Sequence, residues 1–331
     1  MFQNTLGIDT SKDKLASAYR DQATRAIVWE MEVPNTRDGV SRLLADTPSD
    51  AAWVIEPTGR YSHLAVTMAQ AEGRRVLMAP PRKAKRFLAS IQDRAKTDPI
   101  DGRGLSLFGM SIPLEIYPIK SEPIDSLDQL LRARKGMALS RSRLVQQQRD
   151  LTNSLARETL APAIAALTSQ IKALDKEIAR QSEGVEGFDC MAQIRKVEGI
   201  GKITAAAVTS RLVARKFAHP DQFVAYVGLD IAVRDSGKRR GERRLTKQGD
   251  AELRRLLYLC AKASVRTKGS PFRAQFEREL AKGLTKIGAY CAVARKMARL
   301  CWSLHRHGNV YDPSRVGRPP QKEEASNPET I

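Results

Sequence analysis

Hydrophobic and polar positions in the first hundred residues fall into short alternating blocks. Leu6 to Thr10 reads as a strand carrying an acid near its end, and Leu15 to Tyr19 and Ala26 to Val33 read as two more, joined closely enough for hairpins. A helical pattern covers Arg37 to Leu44, and the apolar run from Ala51 to Ile55, closed by Glu56, is a fourth strand. His63 to Gly73 then reads as helix, Arg75 to Ala79 as strand and Arg82 to Ile91 as a basic helix that closes near Asp98. The order is βββαβαβα.

Three antiparallel strands followed by α/β crossovers predict a mixed sheet flanked by helices, the arrangement of ribonuclease H and RuvC-like folds. The pattern changes at Leu127, where long polar helices begin. Leu160, Ile164, Leu167, Ile171, Leu174 and Ile178 follow a heptad seam, and Leu130, Met137, Leu144 and Leu151 recur every seven residues before it. With Pro162 placed in the first turn of the second helix, residues 127–181 read as an antiparallel helical hairpin or coiled-coil arm suited to assembly. Beyond it, Gly199 and Gly201 make a tight turn into a helix, in the manner of a helix-hairpin-helix. The helices after Leu253, with Leu256, Leu257, Leu259 and the stretch from Ile287 to Leu304, read as a C-terminal core together with Phe272, Phe276 and Trp302. Proline and polar residues from Asp312 onward read as a disordered tail. The expected division is an α/β catalytic domain over 1–110, a helical coiled-coil linker over 111–190, a mainly α domain over 191–311 and a tail over 312–331.

Charge changes the picture. Of 331 residues, 56 are Lys or Arg and 37 Asp or Glu, a net charge of +19, which favours polyanionic partners. Against that excess Asp98 and Asp101 stand three residues apart at what reads as a helix start. On one helix face two carboxylates repel each other unless a cation lies between them. Asp9, Glu56, Asp98 and Asp101 thus fall in order at the ends of predicted elements. Any one alone reads as a turn former or a helix-dipole partner; the four together read as ligands for Mg²⁺ or Mn²⁺ in phosphoryl transfer. Cys190, Cys260, Cys291 and Cys301 show no CxxC spacing and read as buried thiols of a reducing compartment. His63, His219, His305 and His307 are scattered, and none is assigned to a metal. No apolar run is long enough to span a bilayer and no signal-peptide pattern precedes the first strand, so a cytoplasmic protein without a membrane partner is expected.

The densest basic stretch runs from Arg234 to Gly249, with Arg234, Lys238, Arg239, Arg240, Arg243, Arg244 and Lys247 against two acids, a net +5. It reads as a phosphate-binding surface, joined by Gly199, Gly201 and Lys202, where backbone N–H groups can hold a phosphate. Ser236 within it reads by itself as a turn residue bonding its own backbone.

In order, Gly7-Ile8-Asp9-Thr10-Ser11-Lys12, Glu56-Pro57-Thr58-Gly59-Arg60-Tyr61, Lys96-Thr97-Asp98-Pro99-Ile100-Asp101, the Gly199/Gly201 turn and the Ser236–Gly249 segment resemble the motifs of the DEDD transposases. That family includes the Piv-type DNA invertase and the insertion-sequence recombinases guided by a bridge RNA. The resemblance covers about residues 5 to 310. It departs at Pro57 and Gly102, where alanine is common, and at Thr246, where serine is frequent.

What the resemblance implies is a RuvC-like domain with an acidic tetrad of Asp9, Glu56, Asp98 and Asp101, a coiled-coil linker, and a C-terminal transposase domain with Ser236 as nucleophile. DNA is cut and rejoined through a phosphoserine intermediate by a homo-oligomer whose protomers can share a site, with a bridge RNA as partner in the guided members. Two other readings stand beside it, a RuvC-like nuclease or junction resolvase that uses water, and a non-enzymatic nucleic-acid binder. A sugar-kinase or actin-like ATPase also begins with a strand like Gly7-Ile8-Asp9-Thr10, but no second glycine-rich phosphate loop follows here.

Overall fold

The computed structural model describes residues 4–57, 60–91, 101–117, 121–232 and 244–316. The chain divides into two compact units, Met1–Ile119 and Lys120–Ile331.

In the first unit, strands β1 (Asn4–Thr10), β2 (Lys14–Asp21) and β3 (Ile27–Pro34) precede helix α1 (Arg37–Asp46) and strand β4 (Ala52–Ile55). Helix α2 (Arg60–Ala71), strand β5 (Val76–Met78) and helices α3 (Pro81–Ile91) and α4 (Gly102–Ser111) complete it. The sheet order is β3-β2-β1-β4-β5. β2 pairs antiparallel with both β1 and β3, while β4 lies parallel to β1 and to β5. The mixed α/β sheet expected from the sequence is therefore present, with the strand order its hairpins and crossovers require.

Strand alternation sends successive side chains to opposite faces. Leu6, Ile8, Trp53 and Ile55 join Val40 and Leu43 of α1 and Ala65, Val66 and Ala69 of α2 in one core. Ala52, Val54 and Leu77 meet Ala84 of α3 and Leu105 and Phe108 of α4 on the other face. Gly7 lies on that second face, directly beneath α4. A methyl group at Gly7 would stand 2.1 Å from the Gly102 carbonyl oxygen and 2.3 Å from the Ser106 nitrogen. A methyl at Gly102 would stand 2.8 Å from the Ala16 carbonyl oxygen, and one at Gly109 would stand 2.4 Å from a Val54 methyl. The small residues Gly102, Ser106 and Gly109 recur at helical spacing, so α4 lies with its backbone against the strands. Thr5 Oγ1 ties the contact by donating to the Ser106 carbonyl at 3.0 Å.

The second unit opens with two helices of 29 residues, α5 (Glu122–Asp150) and α6 (Ser154–Ser182). They run antiparallel: Ser126 bonds Gln181, Arg134 bonds Asp175, Arg141 bonds Thr168, and Gln148 bonds the Arg157 carbonyl. The heptad residues of α6 are half-buried along the hairpin, and Ile178 is fully buried. Pro162 is not in the first turn as expected. The helix starts earlier because Asn153 caps it, accepting from the Ala156 N–H at 3.0 Å, and Pro162 lies inside it.

Next come α7 (Met191–Ile194), α8 (Lys202–Ala214) and α9 (Pro220–Val227), then strands β6 (Ile231–Ala232) and β7 (Arg244–Leu245). Helices α10 (Ala251–Arg266), α11 (Pro271–Ala281) and α12 (Lys286–His307) close the unit. Leu257, Phe272 and Trp302 are buried in its core, and Phe276 stacks on Tyr290 at 4.5 Å between centroids. Leu259, expected in that core, is 45% exposed because it lies on the outer face of α10. The expectation of disorder from Asp312 is corrected for the residues described: Asp312 caps a 3-10 turn over Pro313–Arg315 and Val316 is buried, while residues 317–331 lie outside the described residues. Tyr311 anchors this segment by donating to Glu198 at 2.5 Å.

Gly7→Ala is expected to lower the free energy of unfolding by about 2–3 kcal/mol, because neither backbone can yield. Gly136→Ala, at a helical position open to solvent, is expected to raise it by about 0.5–1 kcal/mol. Urea unfolding of the full-length protein measures both.

Candidate active site

Parallel pairing of β1 with β4 sets the edge at which the acids gather. Ile8 is registered with Ile55, so Asp9 and Glu56 each follow a paired residue at the carboxyl end of adjacent strands. Alternation gives Asp9 the face of Gly7 and Glu56 the face of Val54, which is the face covered by α4. Asp101 immediately precedes α4 as its N-cap, and its carboxylate accepts from the Gly104 N–H at 2.7 Å. The expectation that Asp98 and Asp101 share a helix face is corrected here. Asp101 has extended backbone before the helix begins, and Asp98 lies outside the described residues.

Electrostatics join the three described acids. Burial pushes the Asp9 carboxyl above its ordinary value, and the charge of Asp101 pushes in the same direction. Burial also raises Glu56, with Asp9 adding to the rise. Asp9 is therefore the member linked to both others, raised by Asp101 and itself raising Glu56.

A cationic frame on β2 and β3 holds the start of α4. From Arg20, Nε donates to Ser106 Oγ at 3.1 Å, Nη1 to the Arg25 carbonyl at 2.6 Å and Nη2 to the Arg103 carbonyl at 3.4 Å. Arg103 in turn pairs with Glu30 at 2.6 Å. Burial lowers the Arg20 guanidinium, and Asp101 and Glu30 oppose that fall. Sequence reasoning missed Arg20, whose position in an ordinary strand pattern carries no signal of this role.

Carboxylate oxygens are hard donors that suit Mg²⁺ or Mn²⁺, and for Asp9 and Glu56 burial, with a neighbouring carboxylate, disfavours the bare charge that a cation would offset. Among the described residues no group of three or more His, Cys, Asp and Glu side chains is placed to hold a metal ion. The donor chemistry of Asp9, Glu56 and Asp101 fits the ion, and the fourth proposed acid, Asp98, is not among the residues described.

In the second unit, Gly199 has φ of +85°, and a methyl there would stand 2.4 Å from the Cys260 carbonyl oxygen. Close packing on α10 thus explains its identity. Gly201 caps α8, exposed beside exposed Lys202. Ser236 lies outside the described residues, with Arg234, Lys238, Arg239, Arg240 and Arg243. The stem that carries them is described. Ile231 pairs with Leu245 and Ala232 with Arg244, Thr246 donates to Asp230, and a methyl at Gly249 would stand 2.2 Å from the Tyr226 carbonyl oxygen. Below the stem Arg211 bridges Asp128 at 2.6 Å and Asp250 at 3.2 Å. Lys247 is exposed with φ of +52°. Four free cysteines are present, Cys291 half-buried and the others buried. A cavity of about 300 Å³ lies between the end of α6 and the start of α8, and none of the proposed acids lines it. Among the described residues no helix is long and apolar enough to cross a membrane.

An α/β unit with carboxylates at the carboxyl edge of its parallel strands, joined in sequence to a helical unit with a basic hairpin, defines a class built for phosphate chemistry on polyanions. A family model for the DEDD transposases of the IS110 type matches residues 6–156, and one described as transposase, IS116/IS110/IS902 family, matches residues 191–277. The chain belongs to the DEDD transposases of the IS110/IS116 family, which as a group use divalent metal ions. It is 31% identical to the insertion element IS900 42 kDa protein of Mycobacterium paratuberculosis over 46% of this chain and 40% of that one. A probable family 20 transposase of Pseudomonas aeruginosa is 25% identical over 70% of this chain and 78% of its own. The insertion element IS116 44.8 kDa protein of Streptomyces clavuligerus is 22% identical over 93% and 96%. The match to the IS900 protein thus spans less than half of that relative's length.

In chelator, Asp9→Asn is expected to stabilise the protein at neutral pH by about 0.5 kcal/mol, allowing for solvent screening of half-exposed carboxylates. A raised carboxyl binds its proton more tightly in the folded chain, so its cost is present at neutral pH and fades as pH falls through the raised value. The gap between wild type and variant in urea midpoint therefore narrows on acidification.

Proposed function

We propose that this protein cuts and rejoins DNA as the transposase or site-specific recombinase of an insertion sequence, using an acidic tetrad in a RuvC-like unit and Ser236 as nucleophile. The observation that carries the reading is the coupling of Asp9 to both Glu56 and Asp101 at one edge of the sheet. A nucleic-acid binder has no need of half-buried carboxylates that raise one another inside a chain of charge +19.

Asp9, Glu56, Asp98 and Asp101 would hold Mg²⁺ or Mn²⁺, which when bound supplies Lewis-acid activation of the scissile phosphate. The Ser236 hydroxyl attacks phosphorus and gives up its proton, and the bond from phosphorus to one sugar oxygen breaks as that oxygen gains a proton. One DNA end then carries a phosphodiester to serine and the other a free hydroxyl. Attack by a hydroxyl of another end reverses the chemistry and releases Ser236, so rejoining proceeds without ATP. Around the serine, Arg234, Lys238, Arg239, Arg240, Arg243, Arg244 and Lys247 neutralise backbone phosphates, and Gly199, Gly201 and Lys202 add a second contact that reads no sequence. Target choice falls to a bridge RNA, since little in the chain resembles direct base readout. The helical hairpin serves a dimer or tetramer, and the protein works in the cytoplasm, where its DNA is.

Asp9→Asn, Glu56→Gln and Asp101→Asn are each expected to reduce strand cleavage by roughly a hundredfold or more while DNA binding persists. Ser236→Ala is expected to abolish the covalent protein–DNA adduct seen on denaturing gels. Cleavage retained by Ser236→Ala without an adduct would favour a water-using nuclease, and wild-type activity in the acid variants would leave only a binder.

A further inference from the structure

Helix α3 places four cations on one face: Arg82, Lys83, Lys85 and Arg86 are all exposed, while Ala84 and Leu88 are buried on the opposite side. Several exposed helical cations elsewhere meet carboxylates, as in Arg180–Glu177 at 2.5 Å, Arg255–Glu252 at 2.6 Å and Arg273–Glu277 at 3.2 Å. Helix α3 contains no acid, and none of its four cations has an ion-pair partner among the described residues. Arg82 with Lys85, Arg82 with Arg86 and Lys83 with Arg86 stand at i,i+3 or i,i+4, the spacings at which like charges destabilise a helix. The face therefore costs the free protein stability and gains from a polyanion.

Two contacts fix where this face lies. The Ala79 N–H donates to the Ile55 carbonyl at 2.9 Å, so the chain enters α3 beside Glu56. On its inner side Phe87 packs on Phe108 of α4 at 5.4 Å. A methyl at Gly104 would meet Leu88 at 2.8 Å, and it is the Gly104 N–H that holds the Asp101 carboxylate. Helix α3 is thus anchored beside Glu56 at its entry and beside the Asp101 cap along its buried side, with its basic face turned to solvent.

We propose that the cationic face of α3 is a phosphodiester-backbone contact that holds the DNA strand against the carboxylate edge. This rests on the transposase reading and adds a site to it. Contact is through point charges without base readout, and a strand neutralised there is drawn toward carboxylates that would otherwise repel it.

The test compares full-length wild type with the combined Arg82→Gln, Lys83→Gln, Lys85→Gln and Arg86→Gln variant on a DNA duplex of arbitrary sequence, at several salt concentrations. Glutamine keeps helix propensity close to that of lysine and arginine. The slope of log affinity against log salt changes by about 0.9 for each phosphate that is no longer neutralised. A slope shallower by about 2 or more, with affinity at least tenfold weaker at low salt, is the expected result. A second variant, Arg82→Lys with Arg86→Lys, keeps the charge and is expected to bind as wild type, which separates charge from folding. Unchanged slope and affinity in the glutamine variant overturn the proposal. So does an equal loss when Arg273, Arg278, Lys282 and Lys286 are changed to glutamine instead, which would report net charge alone. A loss seen with RNA but not with DNA also overturns it, assigning the face to an RNA partner. Because binding is measured without cleavage, failure here leaves the tetrad and serine reading to its own variants.

Discussion

The backbone of α4 rests on β1 with no side chain between them, and the first unit is organised around that contact. Gly7 and Gly102 leave space for no methyl group on either side of it. Close approach brings the N-cap of α4, Asp101, within electrostatic reach of Asp9, two residues beyond Gly7. With a larger residue at the crossing the helix would move outward and the carboxylates would part. The same approach lets Thr5 and Arg20 bond the first turns of α4, so position and charge are fixed by one packing decision.

A carboxylate cluster of this kind opposes folding, since burial and mutual repulsion raise both Asp9 and Glu56. The unit carries that cost on an edge that is otherwise well supported. The segment after α4 extends the sheet beside β5 through Met78–Glu115 and Tyr117–Val76 backbone bonds at 3.1 and 2.7 Å. In the second unit charge is managed the other way. Arg211 is half-buried, and although burial works to lower it, Asp128 and Asp250 outweigh that effect and raise it. Paired charge there stabilises a scaffold, whereas in the first unit the four cations of α3 have no ion-pair partner among the described residues, which is the feature that the proposed backbone contact uses.

Much of the first unit is legible in the sequence because its strands alternate cleanly and its acids fall at their ends. Leu6, Ile8, Trp53 and Ile55 announce a core face, and the positions that alternate with them announce the face of the site. Helix α4 is harder to read. Gly102, Gly104 and Gly109 are poor helix formers, and their value lies in close packing that only the folded unit reveals: Gly102 lets backbones touch, while Gly104 and Gly109 make room for Leu88 and Val54. Asp101 reads as a helical residue until its bond to Gly104 identifies it as a cap. In the second unit Pro162 suggests a helix start, but the Asn153 cap nucleates one earlier, and the proline is carried along inside it. Gly199 suggests a phosphate turn, whereas its left-handed backbone and contact with Cys260 give it a packing reason. Ser236 has its role from motif resemblance alone and Asp98 from its spacing to Asp101 and that resemblance, since neither is among the residues described.

Direct counting of bound metal tests the carboxylate edge without relying on DNA or on cleavage. Manganese titrated into full-length protein, with free Mn²⁺ followed by electron paramagnetic resonance, should show saturable uptake by wild type and its loss in Asp9→Asn, the central acid of the three. Equal uptake by the two proteins would contradict a metal site built on Asp9, Glu56 and Asp101.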